Sequence, residues 1–410
     1  MDLVLTNCKD RVVAAYFDGS RNNRLVNVTA YNDNGGALIG DIYVGRVKNY
    51  VRNINAAFVE IAGGELCFLQ FNEKDTIKPK NETDILVQVI REGIKTKQAA
   101  VTMDINLTGK YLIKTHNNHI AISSKIKSVK RRNELFAWME ELVNSCPDND
   151  STNNGSAKEC RSNHCSGNGT GYIIRTNAEK VSKEELVREY DYLEKLYSDI
   201  LKKAEYSTTH SLLYRTSFAV SQVRDCYDSG VDRIVTDDER IYNEIKDYLN
   251  EVSPDMLCKL SLYEDDSFPL DAMYGLSFKL DKALSKKVWL DSGAYLIIEP
   301  TEALTVIDVN TGKAVKKKSD KEKHFMKINL EACEELFRQI SVRNLSGIII
   351  IDFIDMKSKE NNEVLMNKLK ELASLDSVKT SIVDMTALGL VEITRKKVYK
   401  PLHEIFNNAI

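Results

Sequence analysis

The 410 residues carry 57 basic and 60 acidic side chains, a net charge of −3, with 43% hydrophobic and 29% charged residues. These proportions fit a globular protein of two or three domains with ample core, and exclude a fibrous, disordered or disulfide-scaffolded chain. The near-neutral balance excludes a global attraction to polyanions, so any such binding must rest on local basic patches. No apolar run reaches the roughly 18 residues of a membrane span, and Met1-Asp-Leu-Val lacks the charged and apolar regions of a secretory leader. Eight cysteines, scattered from Cys8 to Cys333 without small-scaffold spacing, point to a reducing cytoplasm.

Residues 2–30 read as β structure. Val12-Val-Ala-Ala-Tyr-Phe17 and Leu25-Val-Asn-Val-Thr29 flank a turn at Asp18-Gly19, the pattern of a hairpin with a longer loop. Between 40 and 108, Asp41-Ile-Tyr-Val-Gly-Arg-Val47, Ala56-Ala-Phe-Val-Glu-Ile61, Leu66-Cys-Phe-Leu69, Ile85-Leu-Val-Gln-Val-Ile90 and Ala99-Ala-Val-Thr-Met103 are short strands between turns. Five such strands suit a small OB-type barrel. Phe58 and Phe68, with Lys48, Arg52 and Lys97 nearby, have two readings: an aromatic and basic platform for single-stranded RNA, or barrel core. Both stand at this point.

Lys125-Ile-Lys-Ser-Val-Lys-Arg-Arg132 is a basic run. The stretch 144–171 is rich in Asn, Ser and Gly and reads as a low-complexity surface insertion. It holds Cys146, Cys160, His164 and Cys165 without the paired C-x-x-C spacing of a zinc site, so a loop is expected there. Gly171-Tyr-Ile-Ile-Arg-Thr176 is a strand ending in a cation and a hydroxyl, a weak phosphate-pocket signal. Ser182-Lys-Glu-Glu185 is a capping box opening a helix to about Ala204 with Leu186, Tyr190, Leu193, Tyr197, Ile200 and Leu201 on its apolar stripe. Residues 212–262 alternate strand and helix, with strands expected at 212–214, 233–235 and 257–260. They read as an α/β subdomain whose missing strands are the N-terminal hairpin.

Two apolar runs end in acids. Leu304-Thr-Val-Ile-Asp-Val-Asn310 places Asp308 and Asn310 on one face of an extended chain, and Gly347-Ile-Ile-Ile-Ile-Asp352 ends in a second carboxylate. Phe325, Ile328, Ala332, Leu336 and Ile340 recur between them at helical spacing, with Glu331, Glu334, Glu335 and Arg338 on other faces. Strand, helix, strand brings the two acids side by side when the crossover is the ordinary right-handed one. The result is a hard, oxygen-rich site suited to Mg2+. Strand-end acids also serve as helix N-caps, the role expected for Asp355. The residues after Asp308 open no helix, which weakens that reading for Asp308.

In order and spacing, these segments resemble the catalytic half of the ribonuclease E/G family. The resemblance is carried by Gly40-Asp-Ile-Tyr-Val-Gly-Arg-Val47, Ala56-Ala-Phe-Val59, Gly171-Tyr-Ile-Ile-Arg-Thr176, Pro300-Thr-Glu-Ala-Leu-Thr-Val-Ile-Asp-Val-Asn310, Asn329-Leu-Glu-Ala332, Gly347-Ile-Ile-Ile-Ile-Asp-Phe-Ile-Asp-Met356 and Leu388-Gly-Leu-Val-Glu392. It implies an α/β multi-domain fold. An RNase H-like subdomain is split between 1–38 and 211–280, and an S1-type OB-fold occupies 39–108. A 5′-sensor spans 109–210 with the insertion at 144–170, and a DNase I-like catalytic domain spans 281–410. It further implies Asp308 and Asp352 as Mg2+ ligands, Asn310 as the supporting amide, and RNA contacts from Phe58, Phe68, Lys97, Arg343 and Lys379. Arg175 and Thr176 match the pair that grips a 5′-monophosphate, with Gly109 and Ile113 lining the pocket.

The activity so implied is a Mg2+-dependent endoribonuclease hydrolysing single-stranded RNA to 5′-phosphate and 3′-hydroxyl ends, with a preference for 5′-monophosphorylated RNA. No histidine pair stands out for a mechanism driven by the ribose 2′-hydroxyl. His324, beside the basic run 313–323, reads as a solvated surface residue. The expected partners are ribosomal, transfer or messenger RNA precursors. The family's C-P-x-C zinc-link has no counterpart after Cys333, so the expectation is a short, ribonuclease G-like member in which a homo-oligomer is left open. The alternative is a catalytically inactive RNA-binding protein of the same fold. A phosphoesterase acting on small substrates is disfavoured by the barrel and the basic segment.

Overall fold

The computed structural model describes residues 1–406 except 22, 32–35, 72–79, 94–97, 146–170, 227–229, 266, 313–320 and 399. Residues 33–231 and 240–260 form one unit; residues 1–32, 232–239 and 261–410 form the other. Among the described residues no helix is long and apolar enough to cross a membrane. Lys97 and the cluster Cys146, Cys160, His164 and Cys165 lie outside the described residues.

In the first unit, the strands Ile42–Val51, Ala56–Glu60, Leu66–Gln70, Ala100–Thr102 and Asp84–Arg91 pair in that order, and the last closes back onto the first. One pairing is parallel, Leu66–Gln70 with Ala100–Thr102. This is a closed five-stranded, OB-like barrel, filled by alternate residues such as Val47, Val59, Leu69, Val87 and Val101. The expected strand at 212–214 forms, but it joins this barrel sheet rather than the sheet of the N-terminal hairpin. The reason is a buried charge: Asp41, at the start of the barrel, is 1% exposed and needs a cation, and Arg215 supplies it at 2.6 Å.

A four-stranded sheet follows, ordered Ile120–Ile122, Gly171–Ile174, Leu112–Thr115, Leu107–Thr108. The helix Lys183–Tyr206 packs on it through Leu186, Tyr190, Leu193 and Ile200, and its N-terminus carries the full capping box of Ser182 and Glu185. The segment expected as a strand at 257–260 is mostly 3-10 helix, Pro254–Lys259, because Pro254 presets the first turn; only Leu260–Leu262 is extended.

The second unit holds two sheets. Asp2–Cys8, Arg11–Asp18 and Arg24–Tyr31 form an antiparallel meander, and Arg233–Thr236 adds parallel to Asp2–Cys8, so the chain does return to its own beginning. The helices Leu270–Tyr274 and Leu276–Leu284 cover this sheet. The other sheet has six strands in the order Lys287–Trp289, Tyr295–Pro300, Leu304–Asn310, Gly347–Asp352, Leu390–Arg395, Thr380–Met385. Helices Lys321–Val342 and Lys359–Leu375 bury one of its faces. Ile328, Ala332, Leu336 and Ile340 are fully buried as their spacing requires. Glu335 departs from the expected polar face: it is buried too, held by Arg24, Arg338 and Gln339.

Candidate functional site

The acids reach the sheet edge because of strand alternation. In Leu304–Asn310, Thr305, Ile307 and Val309 point into the helix-covered core, which turns Val306, Asp308 and Asn310 to the opposite face. In Gly347–Asp352, Ile349 and Ile351 are buried and Asp352 is exposed. The two strands are parallel, and their register sets Asp308 directly beside Asp352. Asn310 donates from Nδ2 to Asp308 Oδ2 at 2.6 Å, fixing that carboxylate's orientation. Partial burial, followed by the charges of Asp308 and Asp355, pushes the Asp352 carboxyl up from its ordinary value.

The loop beyond Asp352 is pinned by the helix Lys321–Val342. Asn329, fully buried, donates to Ile354 O at 2.8 Å and accepts from Ile354 N at 3.2 Å. Glu322 accepts from the backbone N–H of Lys357 and Ser358 at 2.9 and 3.0 Å. Asp355 is not the N-cap expected of it. The chain uses three more residues to turn, and Ser358 caps the helix by accepting from Asn361 N at 3.3 Å. Asp355 stays exposed, and its charge adds to the one Asp352 feels.

Among the described residues no group of three or more His, Cys, Asp or Glu side chains is arranged to hold a metal ion. Two adjacent carboxylates, one of them pushed up by burial and by its neighbour's charge, still fit Mg2+, which takes one or two carboxylates and keeps its waters. They do not fit zinc, which takes four ligands, mostly nitrogen or sulfur.

The two phenylalanines of the barrel lie off its buried core. Phe58 and Phe68 are cross-strand partners, half-buried on the outer face, with ring centroids 6.0 Å apart in a T-shaped arrangement. This placement removes the barrel-core reading of the two rings. Lys48 is tied to Glu60 at 3.1 Å.

Around Arg175 the same unit builds a paired-ion pocket. The Arg175 side chain donates from Nη1 to Gly109 O at 2.6 Å and reaches Asp225 Oδ1 at 3.3 Å. Asp225 is shared with Arg224, whose Nη2 lies 2.9 Å away and whose Nη1 donates to Thr108 O. Burial pushes Asp225 up, but hydrogen bonds and charges from the two arginines outweigh it and hold the carboxyl below its ordinary value. Thr176 shares a 2.8 Å hydroxyl contact with Ser123. Ile113 sits in the central strand opposite Ile173.

The turn at Gly109 is shaped by Glu189, 1% exposed, which accepts from the backbone N–H of Lys110, Tyr111 and Leu112 at 2.5, 2.6 and 2.8 Å. A Cβ at Gly109 would stand 2.7 Å from the Glu189 carboxyl carbon, so only glycine fits. Sequence reasoning misses both Glu189 and Asp225. Glu189 has a signal, a carboxylate within the apolar stripe of Leu186, Tyr190 and Leu193; Asp225, fifty residues from Arg175, has none.

One sequence expectation changes. Arg343 is 5% exposed, donating from Nε to Gln339 Oε1 at 2.7 Å and from Nη2 to Ser285 O at 2.8 Å. Burial, with help from Arg338, lowers it to about 10. Its guanidinium is thus engaged inside the protein rather than presented to RNA. Lys379 is exposed, but it precedes Thr380 at the Gly347 end of the sheet, the edge opposite Asp352. In the basic run, Arg131 is bound to the carbonyls of Ala178, Glu179 and Val181 and Arg132 to that of Ser123, which makes those two cations structural.

A model of the Ribonuclease E/G family matches residues 106–398. Ribonuclease G of Haemophilus influenzae is 33% identical over 389 residues, covering 90% of this chain and 74% of that protein. Ribonuclease G of Escherichia coli is 32% identical over 392 residues, with 90% and 75% covered. Ribonuclease E of a Nostoc species is 31% identical over 413 residues, spanning 97% of this chain and 56% of that protein. With acids, amide and pocket arranged as described and similarity extending over nearly its whole length, the chain belongs to the ribonuclease E/G family.

Proposed function

We propose that this protein is a Mg2+-dependent endoribonuclease, cutting single-stranded RNA to leave 5′-phosphate and 3′-hydroxyl ends and favouring RNA with a 5′-monophosphate. The observation that carries the reading is the register pairing of Asp308 with Asp352, with Asn310 bonded to Asp308, on the sheet face opposite the helix-packed core. The names of the relatives, Ribonuclease G and Ribonuclease E, support the ribonuclease activity. The setting is RNA processing and decay in the cytoplasm.

Asp308 and Asp352 would hold the Mg2+, which when bound polarises the scissile phosphate and acidifies the attacking water. The chain's own residues do the positioning. Asn310 orients Asp308, and Asn329 and Glu322 hold the loop that follows Asp352. Phe58 and Phe68, with Lys97, stack and neutralise unpaired RNA. Arg175 and Thr176, with Gly109 and Ile113 beside them, receive the terminal phosphate, Arg175 exchanging part of its contact with Asp225 for the phosphate oxygens. In this reading the barrel is S1-type, the meander sheet RNase H-like and the six-stranded sheet with its helices DNase I-like.

The test is product-end mapping on a short AU-rich single-stranded RNA, with Mg2+ and with chelator, for wild type and Asp308→Asn. Internal 5′-phosphate ends that require Mg2+ and vanish in the variant are the expected result. Cyclic 2′,3′-phosphate products would reject the hydrolytic mechanism. RNA bound tightly but left uncut by concentrated wild type would favour an inactive RNA-binding protein.

A further inference from the structure

On the face that carries Asp308 and Asp352, the neighbouring row of residues is aromatic. The antiparallel registers set Trp289 opposite Tyr295 and Tyr295 opposite Asn310. Directly paired residues share a face. Trp289, Tyr295 and Asn310 therefore make one row, and Lys287, Ile297, Asp308 and Asp352 the next. Trp289 is 59% exposed and lies outside the buried core of this sheet. Its ring meets that of Tyr295 edge-on, centroids 5.2 Å apart. Lys287 Nζ sits 3.9 Å from the Trp289 centroid and 3.7 Å from that of Tyr295, so a cation rooted in the acid row lies over the aromatic pair.

The hairpin bearing these rings is held in place by backbone contacts. Leu290 N donates to Ala294 O at 2.8 Å, and Ser292 N donates to Glu331 Oε1 at 3.0 Å. Gly312, two residues past Asn310, has φ +55°, and a Cβ there would collide with the Gly293 carbonyl and stand 3.4 Å from the Tyr295 ring. Only glycine lets the end of the catalytic strand lie this close to the hairpin. The spacing between rings and acids is therefore built into the sheet. Strands about 4.8 Å apart, rising about 3.3 Å per residue, put Trp289 about 12 Å from Asp308.

We propose that Trp289 and Tyr295, with Lys287, form a base-stacking subsite for a nucleotide flanking the scissile phosphate. The proposal rests on the nuclease reading of Asp308 and Asp352 and adds to it a second point of contact on the same face. An aromatic pair with an adjacent ammonium matches an unpaired base and its phosphate, and stacking accepts any base because every base has a π-face. A self-association patch would not need an ammonium held over its rings.

The test uses single-stranded RNAs with one cut site and an abasic residue moved through the flanking positions, cleaved by wild type, Trp289→Ala and Trp289→Phe. Wild type should lose about tenfold in kcat/KM, mostly through KM, when one particular position is abasic. Trp289→Ala should lose the same on intact RNA and nothing more from that abasic site, and Trp289→Phe should recover most of the loss. Equal cleavage by Trp289→Ala and wild type overturns the proposal, as does an abasic penalty the variant still shows, or a change of oligomeric state as its sole defect. If wild type cuts none of these RNAs, the nuclease reading itself has failed. The subsite is then decided by fluorescence in a Trp138→Phe background, where Trp289 is the remaining tryptophan. Quenching by a single-stranded oligonucleotide supports it, and unchanged emission overturns it.

Discussion

The acid edge of the six-stranded sheet and the pocket around Arg175 treat charge in opposite ways. At the edge, Asp308, Asp352 and Asp355 are gathered, with the Asn310 amide bonded to Asp308, and Asp352 is pushed up by burial and by its neighbours. In the pocket the charges are matched: Arg175 and Arg224 share Asp225, and Glu189 is satisfied by three backbone N–H groups. The edge holds repulsion that a cation would relieve; the pocket holds a network whose every member supports the fold. A perturbed carboxylate at an exposed edge is a candidate for chemistry, whereas matched ions are the ordinary state of a scaffold.

That contrast breaks most visibly at Glu189. Glu189→Ala leaves the Lys110, Tyr111 and Leu112 N–H groups buried without an acceptor, at about 1–3 kcal/mol for each group left unmatched. A loss of about 3 kcal/mol or more is expected, read as a fall in the urea midpoint at unchanged slope. A midpoint equal to wild type would mean that the turn at Gly109 does not depend on this carboxylate.

At the edge the sign reverses. Asp352 has a folded-state pKa raised above the unfolded value, so its ionised form destabilises the fold. That penalty is fully present above the raised pKa and is relieved as pH falls through it. Asp308→Asn removes one source of the repulsion and should raise the melting temperature at pH 7 by about 1–3 °C, the scale of an exposed charge interaction. The gain should shrink as pH falls through the carboxylate range, and Mg2+ should stabilise wild type more than the variant. A variant that melts lower than wild type at pH 7 would show that the acids are not in net repulsion.

The edge is legible in the sequence because its information is local. Asp308 and Asn310 share a face by alternation, and an apolar helix between two apolar strands is enough to bring Asp352 alongside. The barrel is legible for the same reason, as short strands between turns. The pocket is not, beyond what family resemblance supplies, because its partners are joined only by folding. Asp225 meets Arg175 across fifty residues, and the strand Leu212–Tyr214 follows Arg215 to the buried Asp41 rather than the nearest sheet in sequence. Arg343 misleads for a related reason: a basic residue at a helix end reads as exposed, and only Gln339 and the Ser285 carbonyl show that it is enclosed.

In the function proposed above, the edge performs the chemistry and the pocket only chooses the substrate. That division is tested by single-turnover cleavage of one RNA carrying a 5′-monophosphate or a 5′-hydroxyl, using wild type, Asp352→Asn and Arg175→Ala with Mg2+. Asp352→Asn should lose about a thousandfold or more on both substrates, in line with several kcal/mol of lost charge stabilisation. Arg175→Ala should cut the 5′-hydroxyl RNA at the wild-type rate and lose about tenfold or more on the monophosphate form, the scale of a charge-assisted contact. An Asp352→Asn enzyme that still cleaves, or an Arg175→Ala enzyme equally impaired on both RNAs, would contradict this division of labour.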